Sequence, residues 1–223
     1  STLLASSAAS DVYKRQQGST TKENDTDTVI KSKDSSTASS NTVTIDADEG
    51  KTVNVTLDNV TINVDEGYKY GYDSNAYKTA VSVTGSGNTN IELNGNNTLT
   101  SGYGHAGLEH NKTDDSGTLT IQDEKNDDGS AKGSASDTTG SLTANGGIDG
   151  AGIGGSDEHD GQVTITGGEI TATGGNGAAG IGGGAGYPDA VGGDGDVTIS
   201  GGTITATGGR LAAGIGGGAY GNG

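Results

Sequence analysis

The stretch GQVTITGGEITATGGNGAAGIGGG at residues 161 to 184 returns as GDVTISGGTITATGGRLAAGIGGG at residues 195 to 218, a shift of 34 residues with most positions identical. Within each copy the apolar residues alternate: Val163 and Ile165, Ile170 and Ala172, Ala179 and Ile181, with Thr between most of them. Period two is the signature of strands with one face buried. The strands are short and are separated by Gly-Gly or Asn-Gly turns, which supply positive φ without a Cβ clash. No segment carries a helical 3.6 pattern. A hairpin meander would also alternate, but a repeat that returns the same three strands in the same order is better satisfied by coiling. Equivalent strands then stack in parallel about 4.8 Å apart.

Degenerate copies extend the pattern upstream. GTLTIQD (117 to 123) with SLTANGGIDGAGIGG (141 to 155) forms one, interrupted by an insertion rich in Asp, Ser and Gly. NIELNGNNTLTSGYGHAGL (90 to 108) forms another, and VNVTLDNVTINV (53 to 64) with TAVSV (79 to 83) a fifth. Coiling would align Leu119, Val163 and Val197; Ile121, Ile165 and Ile199; Leu142, Ile170 and Ile204; and Ile153, Ile181 and Ile215 as aliphatic ladders. The expected fold is an all-β, right-handed parallel β-helix of about five rungs of three short strands, its hand following from the crossover rule. The chain stops part-way through the loop that 185 to 194 formed in the preceding copy, so the solenoid is expected to be truncated at its C-terminus.

The composition of the 223 residues fits this. Of the 44 glycines, 30 fall in residues 146 to 223, in phase with the ladders, and a core too thin for large rings accounts for the absence of Phe and Trp. The lack of Cys removes disulfides, thiol nucleophiles and Cys-ligated zinc, leaving three histidines and many carboxylates as candidate metal ligands. A hydrophobic fraction of 28% without a long apolar run argues against membrane insertion within this fragment. The net charge of -17 argues against nucleic acid, since phosphates need a surplus of Lys and Arg.

Residues 6 to 16 (SSAASDVYKRQ) resemble the in-frame translation of a transposase sequencing adapter, so residues 1 to 16 are expected to be an artefact of a metagenomic gene fragment. Residues 17 to 40 are polar and rich in Ser and Thr, and are expected to be a disordered linker. The β-helix is expected to occupy 41 to 223.

Two groups of side chains suggest binding. Tyr68, Tyr70, Tyr72 and Tyr77 cluster in the insertion at 65 to 79, with Tyr103 on a later loop; they could stack on sugar rings or pack over the solenoid wall as a lid. Carboxylates concentrate between rungs, among them Asp157, Glu158, Asp160, Asp194 and Asp196, which suit calcium as a hard cation. Acidic loops also keep a glycine-rich repeat soluble. GGDGDV at 192 to 197 fails as a calcium nonapeptide because Val197 stands at the final Asp position, and the GxGxxG-like string at 177 to 182 has no helix after it. Catalysis is poorly supported: His105, His110 and His159 lie on unrelated loops, and Arg210 is the single arginine outside the adapter-like segment. No catalytic residue is assigned. Outward Thr164 and Thr198, Thr171 and Thr205, and Thr173 and Thr207 stack as β-formers on a solvated face.

The strings VTLDNVTI, VTGSGNTNIELNGNNTLTSGYGHAGLE and GTLTI, with the GGxITATGGxxAAGIGGG copies, resemble β-helical surface proteins of clostridia and other gut Firmicutes in the carbohydrate-binding domain family. The resemblance covers about 43 to 218 and implies a pectate-lyase-like fold. It also implies binding of acidic plant polysaccharide with calcium and an extracellular or cell-surface location. The function expected is thus a non-catalytic carbohydrate-binding module, monomeric, with polysaccharide as partner. A structural adhesin stalk and a polysaccharide lyase or hydrolase are the alternatives.

Overall fold

Alternating Val, Ile and Leu with Thr and Asn turns each of the longer strands into a ribbon with one buried edge of side chains, and the chain winds those ribbons into a coil. The computed structural model describes residues 3–17, 20–71, 77–124 and 139–222, with side chains from Thr28 onward. All its regular elements are strands.

Five complete rungs follow one another, each made of three strands. They are β4 (Thr52–Asp58), β5 (Thr61–Asn63) and β6 (Val81–Gly85); β7 (Asn88–Asn94), β8 (Asn96–Thr100) and β9 (Leu108–Glu109); and β10 (Leu119–Asp123), β11 (Ser141–Asn145) and β12 (Ile153–Gly154). The two exact copies give β13 (Gly161–Ile165), β14 (Glu169–Thr173) and β15 (Ile181–Gly182), then β16 (Gly195–Ile199), β17 (Thr203–Thr207) and β18 (Ile215–Gly216). Like strands pair in parallel, building three sheets: β4-β7-β10-β13-β16, β5-β8-β11-β14-β17 and β6-β9-β12-β15-β18. This is the right-handed parallel β-helix expected from the repeat.

The ladders run as the sequence implies. Val163 pairs with Val197, Ile165 with Ile121 and Ile199, Ile170 with Leu142 and Ile204, and Ile181 with Ile153 and Ile215. From Val53 to Ile181 the interior members of these columns are almost wholly shielded from solvent. One column takes a polar member: Asn97 lies between Val60 and Leu142. Its Oδ1 accepts the Val60 N–H at 2.8 Å and its Nδ2 donates to the Ser141 carbonyl at 3.1 Å, so the buried amide is satisfied.

The N-terminal segment departs from expectation. Residues 20–32, expected to lie in a disordered linker, form β2 (Thr20–Ser32), and the adapter-like segment forms β1 (Leu3–Gln17). β1 pairs antiparallel with both β2 and β3 (Val43–Ala47), joining two of the parallel sheets at the base of the coil. The physical reason is local: Ile30 pairs with Leu57, which pairs with Leu93, so one apolar residue in a polar stretch completes a ladder and is fully buried.

The small residues of the AGIGG copies permit close approach at one corner. Gly154, Gly182 and Gly216 occupy the same place in successive rungs with φ of 129°, 135° and 132°. A Cβ on Gly182 would overlap the carbonyl oxygen of Gly216. Gly50, at φ 72°, has open space around it. Gly182→Ala should therefore cost about 3 kcal/mol or more in urea denaturation. Gly50→Ala should cost only about 1 kcal/mol, the backbone term alone. Equal losses would mean that the close approach is not what the corner glycine serves.

Candidate functional site

At the corner between the second and third sheets the loop after β5 has 17 residues and its four counterparts seven each, and the site is built where that long loop and the loop after β15, at the next corner, converge on Tyr103. The loop after β5 brings Tyr68 and Tyr77 against Tyr103 from the loop after β8: the rings of Tyr68 and Tyr103 lie 5.6 Å apart and those of Tyr77 and Tyr103 5.3 Å apart, both tilted. Tyr77 is only 7% exposed, and its hydroxyl accepts the Lys69 N–H at 2.9 Å, so it supports the loop from beneath. Tyr68 stands in solvent above it, and Tyr70 projects almost fully exposed with no ring partner among the described residues. Tyr72 lies outside the described residues.

The strip continues into the loop after β15. Tyr187 and Ala190 exchange backbone hydrogen bonds at 3.0 and 2.9 Å, closing a tight turn around Pro188, whose fixed φ suits that position. This turn points Tyr187 back along the coil, placing its hydroxyl 3.5 Å from that of Tyr103, and it donates a hydrogen bond to Asp149 Oδ2. Tyr187 and Tyr220 also border one shallow depression. Tyrosines from loops of four rungs thus line one edge of the coil: Tyr68, Tyr103, Tyr187 and Tyr220.

Beneath the strip lie two carboxylates. Asp149 is buried, four residues before Ile153 and at φ 70°, a place where neighbouring rungs carry Gly104 at 78° and Gly177 at 83°. Asp157 N–H donates to the Gly104 carbonyl at 2.8 Å, which sets its side chain beside the same column. Burial, then the charges of Asp149 and Glu158, push the Asp157 carboxyl up to about 6, against an opposing effect of His159. Asp157 Oδ1 is shielded from solvent and has no hydrogen-bond partner. Burial and the bond to Asp149 hold the Tyr187 phenol well above its ordinary value.

A second polar group borders Tyr77. His105 Nδ1 donates to Glu109 Oε2 at 2.9 Å, and that oxygen also accepts the Ala106 N–H at 3.1 Å. Burial alone would lower the His105 imidazole, but the bond and charge of Glu109 outweigh it and the net effect is a rise.

The remaining carboxylates of the sequence analysis are dispersed. Asp160 Oδ1 accepts the Asp194 N–H at 2.7 Å, and Asp194 Oδ1 in turn accepts the Asn222 N–H. Asp196 pairs with Lys112 at 2.7 Å, and Glu158 is exposed. Among the described residues no three His, Asp or Glu side chains form a group that could hold a metal ion. Asp149 and Tyr187, central to the corner, were not singled out from the sequence. Their signal was departure from the repeat: an Asp where neighbouring rungs carry Gly, and a Tyr-Pro loop that the last copy lacks.

A raised carboxyl has a definite pH signature. Folded Asp157 keeps its proton to about pH 6, whereas the unfolded residue loses it near the ordinary carboxylate value of 3.8. Between these values the native state binds more protons, so its stability falls as pH rises and levels off above 6. Asp157→Asn should remove that part of the slope and stabilise the protein at pH 7 by roughly 1 kcal/mol, allowing for the half-exposed setting. Urea midpoints at pH 4, 5, 6 and 7 for both proteins check this; parallel curves would refute it.

A family model described as a beta helix repeat matches residues 140–157, 163–185 and 197–219. No curated protein and no solved structure matches the chain. The match agrees with the coil described above: the chain is a β-helical protein.

Proposed function

We propose that the protein is a non-catalytic carbohydrate-binding module of the bacterial cell surface or extracellular space, engaging a polysaccharide along the tyrosine-lined edge. The observation that carries this reading is the contiguity of Tyr68, Tyr103 and Tyr187, three rings from separate rungs presented to solvent above buried polar groups. Aromatic faces suit the C–H faces of sugar rings, and hydroxyls and carboxylates beside them suit sugar hydroxyls. Because rungs repeat about every 4.8 Å, an edge contributed by successive rungs suits an extended polymer better than a single sugar. Glycan-array binding should fall at least tenfold in the combined Tyr68→Ala, Tyr103→Ala and Tyr187→Ala variant. Unchanged binding would move the site elsewhere.

Calcium belongs to the same proposal. The donor chemistry favours Asp149 and Asp157 over Asp160, Asp194 and Asp196, whose carboxylates already accept backbone N–H groups or pair with Lys112. The orphaned Oδ1 of Asp157 beside the buried Asp149 fits a hard, oxygen-seeking cation. A bound calcium would supply the positive charge that a protein of net charge -17 needs to hold an acidic polymer. Added calcium should raise the melting temperature of the wild type and leave Asp157→Asn unmoved; an equal rise in both would place calcium elsewhere.

One observation favours a hydrolytic reading instead: a carboxyl raised to about 6 beside a second carboxylate is the arrangement of a general acid with its partner. That reading requires release of reducing ends from a polysaccharide, abolished by Asp157→Asn. Binding without such release favours the module.

A further inference from the structure

A groove separate from the tyrosine edge opens on the outer face of the third sheet, and its origin is a mismatch in strand length. β6 has five residues but β9 above it only two, so pairing ends at Ser82 with Glu109 and the rest of β6 has no strand above it. The chain is drawn away at that point. His110 N–H donates to the Gly154 carbonyl at 2.8 Å, its Nδ1 donates to the Gln162 carbonyl at 2.8 Å, and Asn111 bridges to Gly161. The following loop makes a tight turn, with the Ser116 hydroxyl donating to the Thr113 carbonyl at 3.0 Å, and returns through the Gly117 N–H bond to Gly85 at 3.0 Å. These ties enclose a cavity of about 400 Å³, in the range of small-molecule sites.

Most of the lining residues carry a polar side chain, although apolar atoms, those of Val83 among them, supply the larger part of the exposed wall. Ser82, Thr84 and Ser86 form one wall, Asn111, Asp115 and Ser116 the other. The floor is Glu109 and His110, both more than nine-tenths buried. The side chains of Ser82, Ser86 and Asp115 have no hydrogen-bond partner among the described residues. No Lys, Arg or aromatic side chain lines the groove, and burial holds the His110 imidazole below its ordinary value, toward the neutral form. Hydroxyl donors and carboxylate acceptors without a fixed cation complement a ligand that both donates and accepts hydrogen bonds and carries no negative charge.

We propose that this groove is a second subsite that binds a neutral sugar unit through its hydroxyls, with Asp115 and Ser86 as direct contacts. The inference rests on the carbohydrate-binding reading and adds a site with the opposite preference to a calcium-bridged acidic one. Its test is calorimetric titration of the full chain with neutral cello-, xylo- and manno-oligosaccharides and, in parallel, with oligogalacturonate. A neutral oligosaccharide should bind the wild type, and the Ser86→Ala, Asp115→Ala variant should bind it at least tenfold more weakly with an unchanged melting temperature. The variant lacking Tyr68, Tyr103 and Tyr187 should retain short neutral oligosaccharides. Unweakened neutral binding in the groove variant, or loss there of oligogalacturonate binding instead, would overturn the subsite while leaving the tyrosine edge standing. Absence of binding to every oligosaccharide and to the glycan array would overturn both.

Discussion

In an interior only a few side chains wide, Val163 is buried because Leu119 lies beneath it and Val197 above it, and the same holds for each member of each column. Burial is therefore cooperative along the axis rather than across a globular core. Because side chains alternate faces, a slip of one residue in any rung would turn all its ladder members outward. That constraint fixes the register of every strand and leaves only the corners free to vary. Where a column ends, the chain departs: Asp123 takes the place above Leu93, and its Oδ1 accepts the N–H groups of Glu124 at 3.0 Å and Gly140 at 2.9 Å. One carboxylate thus closes the base of the insertion between β10 and β11.

The corners show how a uniform coil acquires a site. Where a loop is short and built largely of Gly and Ala, as at 174 to 180, it follows its neighbours and presents little chemistry. Where a rung substitutes Asp149 for the usual glycine, or inserts the turn at Pro188, side chains from separate rungs converge. The backbone tolerates Asp at φ 70° because its N–H is bonded to the Asn176 carbonyl at 3.2 Å and its carbonyl accepts the Ala185 N–H at 2.9 Å. The groove over β6 has the same logic with the opposite cause, a strand that ends early.

Rung order and ladder membership were legible because both follow from a two-residue period and a 34-residue shift. β2 was not, since its place in the core depends on two residues, Thr28 and Ile30, within a stretch whose average composition is that of a linker. The tyrosine cluster was legible as a cluster, but not the division between Tyr77, which supports, and Tyr68, which is presented. The contacts of Tyr187 with Asp149 and Tyr103 span 38 and 84 residues, distances at which sequence spacing carries no geometric information. For Asp160 and Asp194 a signal was present: they stand 34 residues apart, in phase with the repeat, as members of a structural ladder would.

That ladder bears on the acidity of the chain. A glycine-rich corner exposes backbone N–H groups with no side chain nearby to satisfy them, and short acidic side chains are efficient acceptors for such groups. Asp34 accepts the Ser36 N–H at 2.9 Å, Asp65 that of Gly67 at 2.8 Å, and Asp123, Asp160 and Asp194 act alike. Part of the negative charge thus serves to satisfy the backbone N–H groups of turns and corners rather than to mark a ligand. Asp149 and Asp157 do not fit that account: the first is held by a phenol, and the second keeps one shielded oxygen with no donor at all. An unsatisfied buried carboxylate oxygen costs about 1–3 kcal/mol, which a repeat free to place glycine or alanine there, as it does at Ala185 and Ala219, had no structural need to incur.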